Sequence, residues 1–233
     1  MGIQIMIMRL LQHIPTLFAV IAYLVLPGCA PDTASSRAHQ TKHFEEKSGY
    51  GVDLSHHNTV TNWELVEADF IFLKATEGST FTDSKYISYR DKAQKHSIAV
   101  GAYHFMTTSS SAKRQFQNFY RVVGENIDLL PVLDVEKQTK GYPKTKSQMY
   151  QHVKTFVDLC IEHYGKKPII YSSEWFYTHY KLDELGCPFW SGDVDAKVHI
   201  PHVIHQQTIK SVLGIAGKVD YDVLKCKLND IQL

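Results

Sequence analysis

Leu130-Pro131-Val132-Leu133-Asp134-Val135-Glu136 is the stretch on which the fold turns. Its apolar run reads as a buried-type strand, and it closes on two acids at i and i+2. Strand alternation puts Asp134 and Glu136 on one face, with Cα atoms about 6.6 Å apart at about 3.3 Å of rise per residue. The carboxyl end of a barrel strand is where such barrels build their sites. Like charges packed there raise the pKa of one acid, which makes a proton donor usable near neutral pH.

Similar runs flank this one. Tyr50–Leu54, Phe70–Ala75, Ile98–Phe105 and Lys167–Ser172 read as further strands, and Asn62–Val66, Ser84–His96, Ala112–Val123 and Ser147–Tyr164 as helical segments. A short helix is expected near Glu174–His179. Repeated strand–helix units of this size indicate a parallel sheet. After residue 185 the pattern changes to three strand-like runs, Pro188–Trp190, His202–Thr208 and Val219–Leu224, with too little chain between them for full helices. Five β/α units and three strands make eight strands, the number that closes a small barrel. The expected fold is therefore α/β, a single TIM-like barrel of the (β/α)5(β)3 type spanning residues 49–233, with an open doubly wound sheet as the alternative. No Gly-x-Gly-x-x-Gly or Walker-type sequence follows any strand, so nucleotide binding has no support.

Other strand ends repeat the acidic chemistry. Gly51-Val52-Asp53-Leu54-Ser55 ends the first strand with an acid, and Lys218-Val219-Asp220-Tyr221-Asp222 places acids in the last. First and last strands are neighbours in a closed barrel, so Asp53 and Asp220 are expected beside the Asp134/Glu136 pair. Tyr103 and Tyr171 belong to the same rim. Four acids with aromatic residues describe a carbohydrate cleft: carboxylates act on a glycosidic bond and rings stack on sugar faces.

The composition agrees with a folded, near-neutral chain. The 233 residues are 44% hydrophobic and 12% aromatic, which excludes a disordered or collagen-like protein. Twenty-five basic against 24 acidic residues give a net charge of +1, so no basic excess points to nucleic acid. Residues 1–28 carry one charged residue, Arg9, and an apolar run from Leu17 to Leu26, too short to span a bilayer but suited to a signal peptide. The run ends in Leu26-Pro27-Gly28-Cys29, which resembles a bacterial lipoprotein box, with Pro27 departing from the usual small residue. This predicts an exported protein lipidated at Cys29, with residues 29–48 a flexible tether. It would be anchored in a membrane facing the periplasm or cell envelope, the outer membrane in a Gram-negative cell. Cys160 is expected as a buried thiol in a helix, which leaves Cys187 and Cys226 as the default disulfide pair. His56, His57 and His104 lack metal-ligand spacing and are read as hydrogen-bonding or cleft residues; no metal or cofactor is expected.

Seven short motifs in order resemble glycoside hydrolase family 25, the Chalaropsis-type lysozymes or muramidases. They are Asp53-Leu54-Ser55-His56-His57-Asn58 leading to Asn62-Trp63, Phe72-Leu73-Lys74-Ala75-Thr76-Glu77-Gly78, Gly101-Ala102-Tyr103-His104-Phe105, Asp134-Val135-Glu136, Tyr171-Ser172, Phe189-Trp190 and Val219-Asp220. The resemblance covers about residues 50–225. It implies cleavage of the β-1,4 bond between N-acetylmuramic acid and N-acetylglucosamine in peptidoglycan, with retention, by a monomer. Carried over by position, Glu136 would be the general acid/base and Asp134 would orient the 2-acetamido group in a neighbouring-group mechanism. Asp53 and Asp220 would support the cleft floor, with Tyr103 and Tyr171 placing the sugar. Lys74, Glu77, Trp190 and Gln206 are further candidates for substrate contact. An ion pair explains Lys74 and Glu77 almost as well, and packing explains Trp63 and Trp190. The family's seventh strand carries a Trp-Gln-Tyr-like element where this chain has His205-Gln206-Gln207, so weaker stacking is expected there. A hexosaminidase or chitinase-like enzyme on another N-acetyl sugar polymer, and a non-catalytic glycan-binding lipoprotein, remain as alternatives.

Overall fold

The computed structural model describes residues 49–136 and 144–233. The expected signal segment, the tether and Cys29 lie outside the described residues. The strands are β1 (Tyr50–Leu54), β2 (Thr59–Val60), β3 (Phe70–Glu77), β4 (Phe81–Thr82), β5 (Ala99–Phe105), β6 (Val132–Asp134), β7 (Ile169–Ser172), β8 (Phe189–Ser191), β9 (Ile204–Lys210), β10 (Ile215–Ala216) and β11 (Val219–Leu224). The helices are α1 (Tyr86–Lys95), α2 (Ala112–Val123), α3 (Lys146–Tyr164) and α4 (Glu174–His179).

Eight strands close a barrel in the order β1-β3-β5-β6-β7-β8-β9-β11, with β11 returning to β1. All the pairings from β1 through β9 are parallel, whereas β11 is antiparallel to both its neighbours. This is the expected (β/α)5(β)3 pattern. It departs in the first unit, where a short 3-10 turn at Trp63–Leu65, capped by Asn62, stands in place of a helix. β6 is also shorter than its apolar run, because Pro131 has no N–H to add to the ladder. At its other end β6 stops at Asp134, so Glu136 stands just past the strand.

Alternation along each strand sorts the core into two layers. Phe70, Phe72, Ala99, Val132, Ile169, Trp190 and Ile204 fill the barrel interior, and the C-terminal turn Leu228–Ile231 plugs its far end. Ile71, Leu73, Val100, Ala102 and Leu133 point outward onto Phe116, Phe119, Val153 and Phe156 of α2 and α3. Gly101 makes room for this interior: a Cβ there would lie 2.0 Å from the Phe72 ring. His104 faces the outer layer, with Nδ1 2.8 Å from Thr76 Oγ1 and Nε2 3.1 Å from Gln115 Oε1. Burial lowers its pKa to about 4, so it stays neutral and structural.

The expected disulfide does not form. Cys187 and Cys226 are both free thiols. Cys187 belongs to the outer hydrophobic layer, near Cys160, whereas Cys226 packs against the interior one. The two therefore sit in different layers and do not meet.

Candidate active site

The inward face of each strand ends in a side chain with chemistry. β1 contributes Asp53, β3 Lys74, β5 Tyr103, β6 Asp134, β7 Tyr171, β9 Gln206 and β11 Asp220, and Glu136 follows β6. Together they line a cleft of about 250 Å³ at the carboxyl end of the parallel strands, floored by Trp190. The antiparallel course of β11 brings Asp220 here: near the start of its strand, it lies opposite Asp53 in the β1–β11 register.

Asp134 is buried, and Glu136, two residues on, stands at the open rim. Burial and then the neighbouring Glu136 and Asp53 charges push Asp134 well above the ordinary carboxylate range, against the pull of Lys74. Burial raises Glu136 as well, opposed by the hydrogen bond from Asp134 and by Lys74. The pair is thus built to retain a proton where free carboxyls have lost theirs. Burial, Asp220 and Glu136 likewise hold Asp53 well above its usual value. The Tyr171 hydroxyl donates to Gln206 Oε1 at 2.6 Å. Burial and the surrounding acids raise both the Tyr103 and Tyr171 phenols, which remain neutral donors.

Lys74 is the one Lys or Arg among the described lining residues. Its ammonium lies 2.6 Å from Glu77 and 4.9 Å from the centre of the Phe105 ring. Glu77 is not among the residues lining the cleft; it holds Lys74 in an ion pair. Trp190 is 1% exposed and packs edge-on against Tyr171, with ring centres 5.3 Å apart; it is a floor residue and presents no open face for stacking. The seventh-strand departure also reads differently in three dimensions. Gln206 pairs with Asp222 and faces the cleft, while Gln207 is the extra residue of a bulge and is exposed. His205 points away from the cleft, with Nε2 3.0 Å from the Asp193 carbonyl. Neither His205 nor Gln207 is among the residues that line the cleft.

Sequence reasoning missed Asp222 as part of this assembly. It is fully buried two residues beyond Asp220 on the same inward face, opposite Gly51. Burial, Asp53 and Asp220 raise its pKa. The Trp190 indole N–H lies close enough to oppose that rise, although neither it nor either Asp222 oxygen completes a well-formed hydrogen bond. Its signal was the i, i+2 spacing from Asp220, the same spacing that marked Asp134 and Glu136. Ser55 and His57 also line the cleft, while His56 turns aside to Asp83, 2.7 Å away. Among the described residues no group of three or more His, Cys, Asp or Glu is placed to hold a metal ion.

A closed barrel with carboxyls converging at its catalytic end defines a glycosidase-type site. The sequence model of glycosyl hydrolases family 25 matches residues 52–208, and this chain belongs to that family. Among its relatives, the uncharacterised protein YegX of Escherichia coli K12 is 31% identical over 212 residues, covering 78% of this chain and 72% of that one. The autolytic lysozyme of Clostridium acetobutylicum is 28% identical over 74% of this chain and 54% of its own. Among solved structures, a bacterial lysozyme from Streptomyces coelicolor superposes with a TM-score of 0.72 at 25% identity, covering 79% of this chain and 95% of that one. A family 25 glycosyl hydrolase from Bacillus anthracis gives 0.71 at 27% identity, covering 84% and 97%.

Proposed function

We propose that this protein is a peptidoglycan muramidase that cleaves the β-1,4 bond between N-acetylmuramic acid and N-acetylglucosamine. The lysozymes among its relatives support that substrate. The observation that carries the chemistry is the placing of Asp134 and Glu136 together in the cleft, both with raised proton affinity. Retaining carboxyl pairs stand about 5–5.5 Å apart and inverting pairs about 6.5–9.5 Å. Two flexible side chains at i and i+2 can meet either range, and a nucleophile supplied by the substrate is the further route open to such a pair.

Substrate binding sets the acetamido N–H against Asp134, which moves the pair's proton to Glu136, and in the first step the Glu136 carboxylic acid donates it to the glycosidic oxygen. The acetamido carbonyl oxygen of the muramic residue attacks the anomeric carbon as the C1–O bond breaks, and the N-acetylglucosamine end leaves as an alcohol. Asp134, ionised, accepts a hydrogen bond from the acetamido N–H and balances the positive oxazolinium. In the second step water attacks the anomeric carbon, the oxazolinium ring opens, and Glu136 takes the water's proton. Configuration is retained and Glu136 is recharged. Asp53 sustains the proton affinity of Asp134, and Asp220 that of Asp53; Tyr103, Tyr171 and Gln206 position the sugar. The same reading places the barrel behind a lipid anchor at Cys29.

Digestion of purified sacculi, with products identified by mass spectrometry, tests the activity. New reducing N-acetylmuramic acid ends are expected. Cleavage of chitin oligomers without such ends would replace the muramidase reading with a hexosaminidase one, and binding without cleavage would make the protein a glycan binder. Glu136→Gln is expected to lower kcat about 10²–10⁴-fold while glycan binding persists.

A further inference from the structure

A groove of about 730 Å³ opens between residues 108–113, which follow β5, and the first turns of α3. Thr108, Ser110, Lys113, Lys144, Ser147 and His152 belong to its wall, and none of the described lining residues is acidic. Two helices begin at it, α2 capped by Ser111 and α3 capped by Thr145. The cap hydroxyls engage the Arg114 and Gln148 amides, and the first-turn N–H groups of Ala112, Lys113 and Ser147 have no intrahelical acceptor. Two positive helix ends therefore meet in one groove, and Lys113 and Lys144 add two full charges.

A separate feature also calls for a ligand. Thr108 is 6% exposed, lines the groove, and its Oγ1 has no hydrogen-bond partner; the buried Ser110 Oγ beside it also lacks one. Buried hydroxyls ordinarily find partners.

We infer that this groove is a carboxylate-binding subsite for the peptide stem of the substrate. The inference rests on the muramidase reading, in which the muramic residue bearing the stem sits at Asp134 and Glu136. The groove adjoins that position. Phe105 lines the cleft and Thr108 the groove, so at most about 11 Å of chain separates the two walls. The Met106 amide, between them, donates to the Asp134 carbonyl at 2.9 Å. An extended stem of four residues spans up to about 14 Å, enough to reach. Electrostatics favours one orientation: the acidic cleft repels stem carboxylates, and the basic groove receives them. The groove thus reads the stem, while the cleft reads the sugar.

Two measurements on the full chain test this. The first compares kcat/KM on stem-bearing glycan strands with that on strands whose stems an amidase has removed. A preference of about tenfold for stem-bearing strands is expected, falling towards one in Lys113→Ala/Lys144→Ala. Equal rates in the wild type, or a preference retained by the double variant, would overturn the subsite. The second is independent of catalysis: titration of free stem peptide, followed by amide NMR, is expected to shift Ala112, Lys113 and Ser147. No shift would overturn the proposal even if the glycan is not cleaved. Inorganic phosphate offers the same oxyanion chemistry; shifts with phosphate but none with peptide would reassign the groove to phosphate and overturn the stem. Peptide binding by a protein that leaves every muramyl bond intact would instead refute the muramidase reading alone.

Discussion

Asp53 and Asp220 face each other as register partners across the antiparallel β1–β11 pair. Burial and then the Asp220 charge hold Asp53 well above the ordinary carboxylate range. Removing the Asp220 charge favours the ionised form of Asp53, so in Asp220→Asn the Asp53 carboxyl should titrate at lower pH. Carboxyl ¹³C NMR reads this directly, and an unmoved Asp53 titration would contradict the coupling.

Lys74 lowers the pKa of both Asp134 and Glu136. The protonated form of Glu136 is the donor, so activity is present below its raised pKa and lost as pH rises through it. Lys74→Met removes the lowering charge, and the alkaline limb of kcat/KM should move to higher pH. Movement to lower pH would refute Glu136 as the acid.

Asp222 is an acid whose folded pKa is raised, so the folded state binds more protons than the unfolded one at neutral pH. Its contribution to stability is therefore full below the unfolded pKa of about 4 and falls as pH rises towards the raised value. Asp222→Asn should be more stable than the parent at pH 7 by about 1 kcal/mol, or about 2–4 °C in Tm. The gain should vanish below about pH 4. Calorimetric scans across pH measure both parts.

Gly101→Ala forces a Cβ to within 2.0 Å of the Phe72 ring in the barrel interior. Overpacking of this kind costs about 1–3 kcal/mol, so a Tm lower by several degrees is expected in thermal unfolding.

For the proposed anchor, Cys29→Ser should move the protein from the membrane fraction to the soluble envelope fraction. Retention of the variant in the membrane, read by immunoblot of fractionated cells, would remove the lipid from the account.

The amino-acid sequence by itself determined the strand–helix order and the faces of single strands. Period-2 alternation is local, so Asp134 with Glu136, and the inward placement of Tyr103 and Tyr171, were legible from neighbouring residues. Only tertiary structure decided how separate strands meet. Asp220 reaches the catalytic end because β11 runs against its neighbours, a direction that its own residues do not encode. Asp222 follows it into the interior by the same alternation, but its burial depends on Trp190 and on Gly51, its register partner on the adjacent β1. A bulge at Gln207 resets the alternation of β9 beyond Gln206, and the barrel wall puts Cys187 and Cys226 in different layers. The basic groove exists because α2 and α3, distant in sequence, start side by side. Each of these depends on register and strand direction, which closure of the whole barrel imposes and no local stretch carries.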